Sequence, residues 1–307
     1  VAVQEVVVPE HLSGSRLDKA LAALLDGSSR ARVKTAIAEG AVRVNGRRMP
    51  KGGVVSAGDV LTVELGEMTD PNAPATPEDA PLDVRFESSE VVVVDKPAGQ
   101  PTAPLRSGET GTLANALVFR YPEIAGVGYS PREPGILHRL DTDTSGLLLV
   151  GRTKAAFDEL KGALKGDALL KEYLLVCRED GLPDEGTIAF PLAPHPKDQR
   201  RVYACVHPRD VARYAPRPAS TDYVVLSRKG PNALVRVIVS RAVRHQIRAH
   251  FAAIEHPLVG DVLYGGDEIE GLGRHALHAS RIALETSIEG LSFDVESKLP
   301  ADLQALV

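Results

Sequence analysis

Between Met68 and Pro81 the chain reads Met-Thr-Asp-Pro-Asn-Ala-Pro-Ala-Thr-Pro-Glu-Asp-Ala-Pro, four prolines in a stretch almost free of large apolar side chains. Each proline ring fixes φ and removes a backbone donor, so neither a packed helix nor a central strand can run through it. The chain therefore divides into residues 1–67 and 83–307, joined by a linker over 68–82. At 307 residues, 43% apolar and 25% charged, both pieces can bury a core. No apolar run approaches the ~18 residues of a membrane span. Val1 to Glu10 lacks the basic flank and apolar block of a secretion signal. Two cysteines, Cys177 and Cys205, supply neither a disulfide scaffold nor a zinc site alone. The expectation is a cytoplasmic, monomeric protein with no membrane association.

The net charge of −5 argues against a nucleic-acid partner only until it is mapped. Arg16 to Lys51 holds nine Lys/Arg against three acids, and Pro196 to His250 twelve against three. Glu64 to Asp95 holds nine acids against one Arg, and Phe251 to Val307 ten against three bases. A polyanion responds to charge within a Debye length, ~10 Å at moderate salt, more than to the net value. Two basic blocks on an acidic chain suit one face presented to RNA or DNA.

Ahead of the prolines, Leu17, Leu21, Leu24 and Leu25 fall on one helical face. Ser28 or Ser29 can cap a second helix that runs to about Glu39 and stops at Gly40. Ala41–Asn45 alternates as a strand, Asn45-Gly46 signals a tight turn, and Val60–Leu65 is a closing strand. Arg16-Leu-Asp-Lys19, Ser29-Arg-Ala-Arg32, Gly40-Ala-Val-Arg-Val-Asn-Gly46 and Gly58-Asp59 together resemble the S4 RNA-binding domain. The resemblance implies a basic face gripping structured RNA by phosphate and shape, with Arg16, Arg30, Arg32, Lys34, Arg47 and Arg48 upon it.

Beyond the prolines, strands are read over 84–86, 91–95, 147–150, 169–176, 220–226, 233–239 and 276–284, with helices over 112–120, 154–164 and 244–254. Grouped strands with interspersed helices make the fold class α+β: a small αα/β module followed by a mixed, mainly antiparallel-sheet domain.

The least ordinary stretch is Gly135-Ile-Leu-His-Arg-Leu-Asp-Thr-Asp-Thr-Ser-Gly-Leu-Leu-Leu-Val150. Asp141 to Ser145 can fold a loop onto its own backbone, and Gly146 permits a close approach where an apolar strand begins. On composition alone Asp141 and Asp143 are either turn acids or a positioned nucleophile or base.

His138-Arg-Leu-Asp141 with Thr144-Ser-Gly146 resembles the signature of the RluA family of RNA pseudouridine synthases. Val93-Val-Asp-Lys-Pro-Ala-Gly99, Lys171-Glu-Tyr173, His245-Gln-Ile-Arg248, His256-Pro-Leu-Val-Gly-Asp261, Tyr264-Gly265 and Leu277-His-Ala279 follow the family's other blocks in order. The resemblance implies isomerisation of a uridine: the N-glycosidic bond breaks, the uracil turns, and C5 is rejoined to the ribose. Asp141 would be the catalytic aspartate, Arg248 its ion-pair partner, and Tyr173 a ring packing on the base and assisting proton removal from C5. Arg139 would fill the space left by the flipped base, with a salt bridge to Asp141 or Asp143 as its structural alternative. His138, Lys96 and His245 would face RNA or substrate. No metal or organic cofactor is implied, and no histidine spacing completes a zinc set.

The sequence departs from the pattern at Ala242-Val243-Arg244, where Gly-Arg-Thr is usual, at Glu255 in place of glycine, at Thr142 in place of lysine, and at Gln100-Pro101-Thr102. These departures bear on RNA contacts more than on chemistry. Ribosomal RNA of the large subunit is the first expected substrate and transfer RNA the second. A catalytically inactive RNA-binding or ribosome-assembly factor is one rival, and a glycosidase-like hydrolase the other.

Overall fold

A computed structural model describes residues 2–25, 30–50, 52–65, 73–166, 168–239 and 242–307. The chain divides into two units, Val1–Ala73 with Leu105–Gly108 and Pro74–Pro104 with Glu109–Val307.

In the smaller unit β1 (Ala2–Val7) precedes α1 (Leu17–Leu24) and α2 (Arg30–Glu39), followed by β2 (Val42–Val44) and β3 (Val60–Leu65). The sheet order is β1-β3-β2, all antiparallel. The leucine stripe closes the core, with Leu17, Leu21 and Leu25 packed among Val33, Val42, Val44, Leu61 and Val63. Asn45 (φ 48°) and Gly46 (φ 76°) are both left-handed and turn the chain from Val44 to Arg47, the two-residue turn their pairing demands. In this unit the strand missed in the sequence is β1: Val3 and Val7 are exposed, so its pattern carries little of the core. The Ser28/Ser29 cap lies outside the described residues.

The larger unit contains β4 (Val84–Glu87), β5 (Val91–Lys96), α3 (Leu113–Arg120), β6 (Ser145–Gly151), α4 (Lys154–Lys165), β7 (Leu170–Arg178) and β8 (Glu185–Ile188). It continues through β9 (Leu192–Pro194), β10 (Val202–Ala204), α5 (Pro208–Tyr214), β11 (Thr221–Lys229), β12 (Asn232–Ile238), α6 (Gln246–Ala253), β13 (Leu277–Leu284), β14 (Phe293–Glu296) and α7 (Ala301–Gln304). The main sheet runs β4-β5-β6-β13-β7-β12-β11-β8, with β14 also on β13, and β9 pairs with β10 as a separate hairpin. Its pairings are antiparallel except β6 with β13. Val92, Val94, Leu148 and Val150 face one core, while Val91, Val93, Leu147 and Leu149 face another with Phe157 and Leu160 of α4. Burial on both faces is why these strands read as unbroken apolar runs.

The parallel junction places the loop before β6 in the middle of the sheet. There Gly146 has φ +115°, and a Cβ on it would overlap the carbonyl oxygen and nitrogen of Ala279. Only glycine lets the two strands meet.

Part of the proline-rich segment departs from the expected linker. Ala75 donates to the Pro131 carbonyl (3.1 Å), Glu78 N–H to Asn115 (3.1 Å), and Asn115 Nδ2 to the Thr76 carbonyl (2.7 Å). From Pro74 onward the chain is extended yet bonded to the larger unit, because the residues between the prolines keep their own backbone groups.

Helix α6 starts later than its sequence pattern, since His245 is left-handed (φ 53°). It ends with Glu255 at φ 68°, Glu255 N–H on the Ala252 carbonyl and His256 N–H on that of Phe251. This reversal favours glycine at the left-handed position. Glu255→Gly is expected to raise stability by about 0.5–1 kcal/mol, read from urea midpoints at unchanged m-value.

Candidate active site

The polar loop ahead of β6 is held from every side. Thr102 Oγ1 donates to the Leu140 carbonyl (2.7 Å), and Gly99 N–H to that of Thr142 (2.9 Å). Lys96 is fully buried, and its Nζ lies 2.9, 2.8 and 3.0 Å from the carbonyls of Pro97, Gln100 and Thr142. Thr144 Oγ1 is 2.7 Å from His275 Nε2, and Ser145 Oγ is 2.9 Å from His278 Nδ1. Arg274 donates to Ser145 Oγ (3.1 Å) while gripping Asp302 with two nitrogens (2.7 and 3.0 Å). Burial pushes His275 down to about 4, so it meets Thr144 as a neutral ring.

This frame delivers Asp141 to the wall of a cleft of about 670 Å³, shared with Asp143, Arg200, His245, Arg248, Glu268 and Arg274 among others. Arg248 Nη1 donates to Asp141 Oδ2 (2.9 Å). The same guanidinium is locked by Asp261, Nε to Oδ2 at 2.7 Å and Nη2 to Oδ1 at 2.8 Å, with the Asp261 side chain only 1% exposed. A planar fork fixed by one buried carboxylate presents its remaining nitrogen to the other in a single geometry. It also lies over the Tyr264 ring, 5.1 Å from the centroid. Burial disfavours the Arg248 charge, but Asp261 and Asp141 outweigh it and push the guanidinium further up.

Several sequence-predicted residues are placed differently. Tyr173 is buried in the core, opposite Ala279 across β7 and β13, and is not among the residues lining the cleft. Burial, then the Asp141 charge, push its phenol up, so it stays protonated at neutral pH. His138 Nε2 accepts the N–H of Leu149 in β6 (3.2 Å), and burial pushes the ring down to about 3. It thus braces a strand through Nε2, as Lys96 braces the loop. Arg139 is 56% exposed and pairs with Glu133 (3.0 Å), not with Asp141 or Asp143. His245 faces Asp141, Nε2 to Oδ1 at 3.6 Å.

In the smaller unit Arg16, Lys34, Arg47 and Arg48 are exposed, Arg16 on Asp18 at 3.0 Å. The side chains of Arg30 and Arg32 lie outside the described residues.

The basic block of residues 196–250 is not one open surface. Arg200 and Arg201 pair with Asp198 (2.9 and 3.6 Å), and Arg228 with Glu179 (3.1 Å) and Asp184 (2.7 Å). Arg244 donates to the carbonyls of Gln199 (3.1 Å) and Arg200 (2.7 Å). Of these partners only Glu179 and Asp184, on Arg228, are acids from outside the counted block. Val243 packs on the cluster of Leu192, Val202, Ala204 and Ala249, which accounts for an apolar residue there.

Asp261 is the partner that sequence reasoning missed as a site residue. Its sequence signal was the Gly260-Asp261 pair, where a Cβ on Gly260 would overlap the Arg274 carbonyl. Among the described residues no group of His, Cys, Asp and Glu is arranged to hold a metal, and no helix is long and apolar enough to cross a membrane.

Comparison with known proteins places the chain in a family. Residues 90–253 match the RNA pseudouridylate synthase family and residues 15–61 the S4 domain. Ribosomal large subunit pseudouridine synthase D of Yersinia pestis is 34% identical over 313 residues, covering 98% of this chain and 92% of that protein. Its namesake from Xanthomonas campestris pv. campestris is 33% identical over 319 residues, covering 100% and 92%. Among solved structures, human RNA Pseudouridylate Synthase Domain Containing 1 superposes with a TM-score of 0.56 at 26% identity, covering 72% of this chain and 84% of that one.

Proposed function

The chain belongs to the RNA pseudouridylate synthase family and is an RNA pseudouridine synthase, and on that footing we propose that it isomerises uridines of large-subunit ribosomal RNA. The carrying observation is Asp141 on the cleft wall, one oxygen bound to an Arg248 that Asp261 has already immobilised. Asp141 is the catalytic residue: it initiates cleavage of the bond from N1 to the ribose. The reaction closes when C5 bonds to the ribose and loses its proton while the freed N1 takes one up, so no atom is gained or lost overall and no cofactor enters. Arg248 orients the carboxylate. Tyr173 lies under the site as a protonated ring. Arg139 is the exposed residue suited to fill the space of the flipped base, since a guanidinium plane stacks on bases. Residues 1–67 form an RNA-gripping domain whose contacts include Lys34, Arg47 and Arg48, residues 83–307 carry the chemistry, and the protein acts as a cytoplasmic monomer.

The test is tritium release from RNA labelled at uridine C5, with ribosomal and transfer RNA pools offered separately. Release from the ribosomal pool is expected. Release from transfer RNA alone would overturn the substrate, and none from either would overturn the activity.

Lys96 adds a pH signature. Burial pushes its ammonium down from 10.5 to about 8, against the pull of Asp143 and Asp141. Between these values the unfolded chain holds the proton and the folded chain does not. The group's stability cost is therefore present below about pH 8 and is relieved as pH rises through that window. A neutral amine has two donors for three carbonyls, so the Asp141 loop loosens. The rate is expected to fall above pH 8 with the fold intact; a profile flat to pH ~9.5 would refute the role.

A further inference from the structure

The hydroxyl oxygen of Tyr264 accepts the N–H of Val202 (2.8 Å) and lies 3.0 Å from His245 Nδ1. A backbone N–H can only donate, so it occupies an acceptor position of the phenol. Among the described residues, Nδ1 of His245 is the other polar atom bonded to the phenol, and the tautomer in which it accepts the O–H gives the phenol's proton a partner. The imidazole proton then sits on Nε2, the atom that faces Asp141 Oδ1 at 3.6 Å. Arg248 already holds Oδ2, so the two carboxylate oxygens have separate donors. Burial keeps the His245 ring neutral, and the ring meets that of Tyr264 edge-on at 5.8 Å. His245 is also left-handed at φ 53°, a conformation uncommon for a non-glycine residue.

We propose that His245 is a positioning residue, whose Nε2–H is fixed by Tyr264, and through it by Val202, to orient the second oxygen of Asp141. The proposal rests on the reading of the chain as a pseudouridine synthase acting through Asp141. At 3.6 Å the contact is longer than a formed hydrogen bond. It closes when a base fills the cleft, as catalytic contacts tighten on substrate binding.

Two replacements separate this role from a backbone role. The amide nitrogen of Gln reaches the place of the imidazole Nε2, whereas that of Asn reaches only the place of Nδ1. Asn is the better residue in a left-handed conformation. A backbone role therefore predicts that Asn replaces His245 at least as well as Gln, and the positioning role predicts the reverse.

The experiment follows single-turnover pseudouridine formation on transcribed large-subunit ribosomal RNA, with filter-binding affinity and thermal unfolding, for the full chain and for H245Q, H245N and Y264F. H245N is expected to lose roughly 10²-fold in rate at unchanged RNA affinity and unfolding temperature. H245Q should recover most of the rate, and Y264F should fall between them. An active parent in which H245N equals or exceeds H245Q, or in which rate loss tracks thermal destabilisation, overturns the positioning role alone. A parent that forms no pseudouridine overturns the functional reading and the proposal with it.

Discussion

Asp141→Asn is expected to abolish pseudouridine formation, by about 10⁴-fold or more, while leaving the fold and RNA affinity in place. The substitution is nearly isosteric, and the Asn carbonyl can still accept from Arg248 Nη1. Arg248 keeps both bonds to Asp261, so no buried charge loses its last partner. The Asp141 side chain is 26% exposed, so its replacement creates no cavity. What disappears is the negative charge at the cleft wall. Tritium release and filter binding on the same RNA separate the two effects. Activity within tenfold of the parent would remove Asp141 from the chemistry, and a parallel loss of RNA affinity would assign it to binding.

Arg248→Leu carries the second large effect, and it acts on stability as well as rate. The buried Asp261 carboxylate would lose both bonds to the guanidinium. Stranding one member of such a pair costs about 3–5 kcal/mol, whereas replacing both members by apolar residues costs far less. The double variant Arg248→Leu with Asp261→Leu is therefore expected to be more stable than Arg248→Leu alone, with a coupling of about 1–3 kcal/mol. It should remain inactive, because Asp141 has lost the group that orients it. Urea unfolding of the parent, both single variants and the double variant measures the coupling. Additive changes would mean that Arg248 and Asp261 do not depend on one another, and an active double variant would mean that Asp141 needs no guanidinium.

Both expectations depend on how the loop of Asp141 is built, and the sequence showed only part of that construction. The loop was recognisable because short polar side chains, a glycine and an apolar strand follow one another within a dozen residues. Gly146 was readable as a place of close approach, although its partner Ala279 stands 133 positions further along. The five-residue run from Asp141 to Ser145 was identified as a self-bonded turn. Most of its fastenings instead come from Lys96, Gly99, Arg274, His275 and His278. Lys96 and His138 were expected to face RNA or substrate because each lies in a motif that resembles the family's. Burial turned each toward a backbone group, where a polar atom must find a partner.

The sequence by itself determined the break at the prolines, the small helix–helix–sheet module and the α+β class, and it singled out the loop that carries Asp141. Each rests on local physics: a fixed φ, a helical stripe, a turn pair, or a motif confined to neighbouring residues. Tertiary structure alone decided that Asp261 immobilises Arg248, that Glu133 takes Arg139, and that acids from other segments occupy Arg228. It also decided that Tyr264 stands behind His245. These are pairings of charges and hydrogen-bonding groups across the fold. Their strength depends on distance and burial, which position along the chain does not encode.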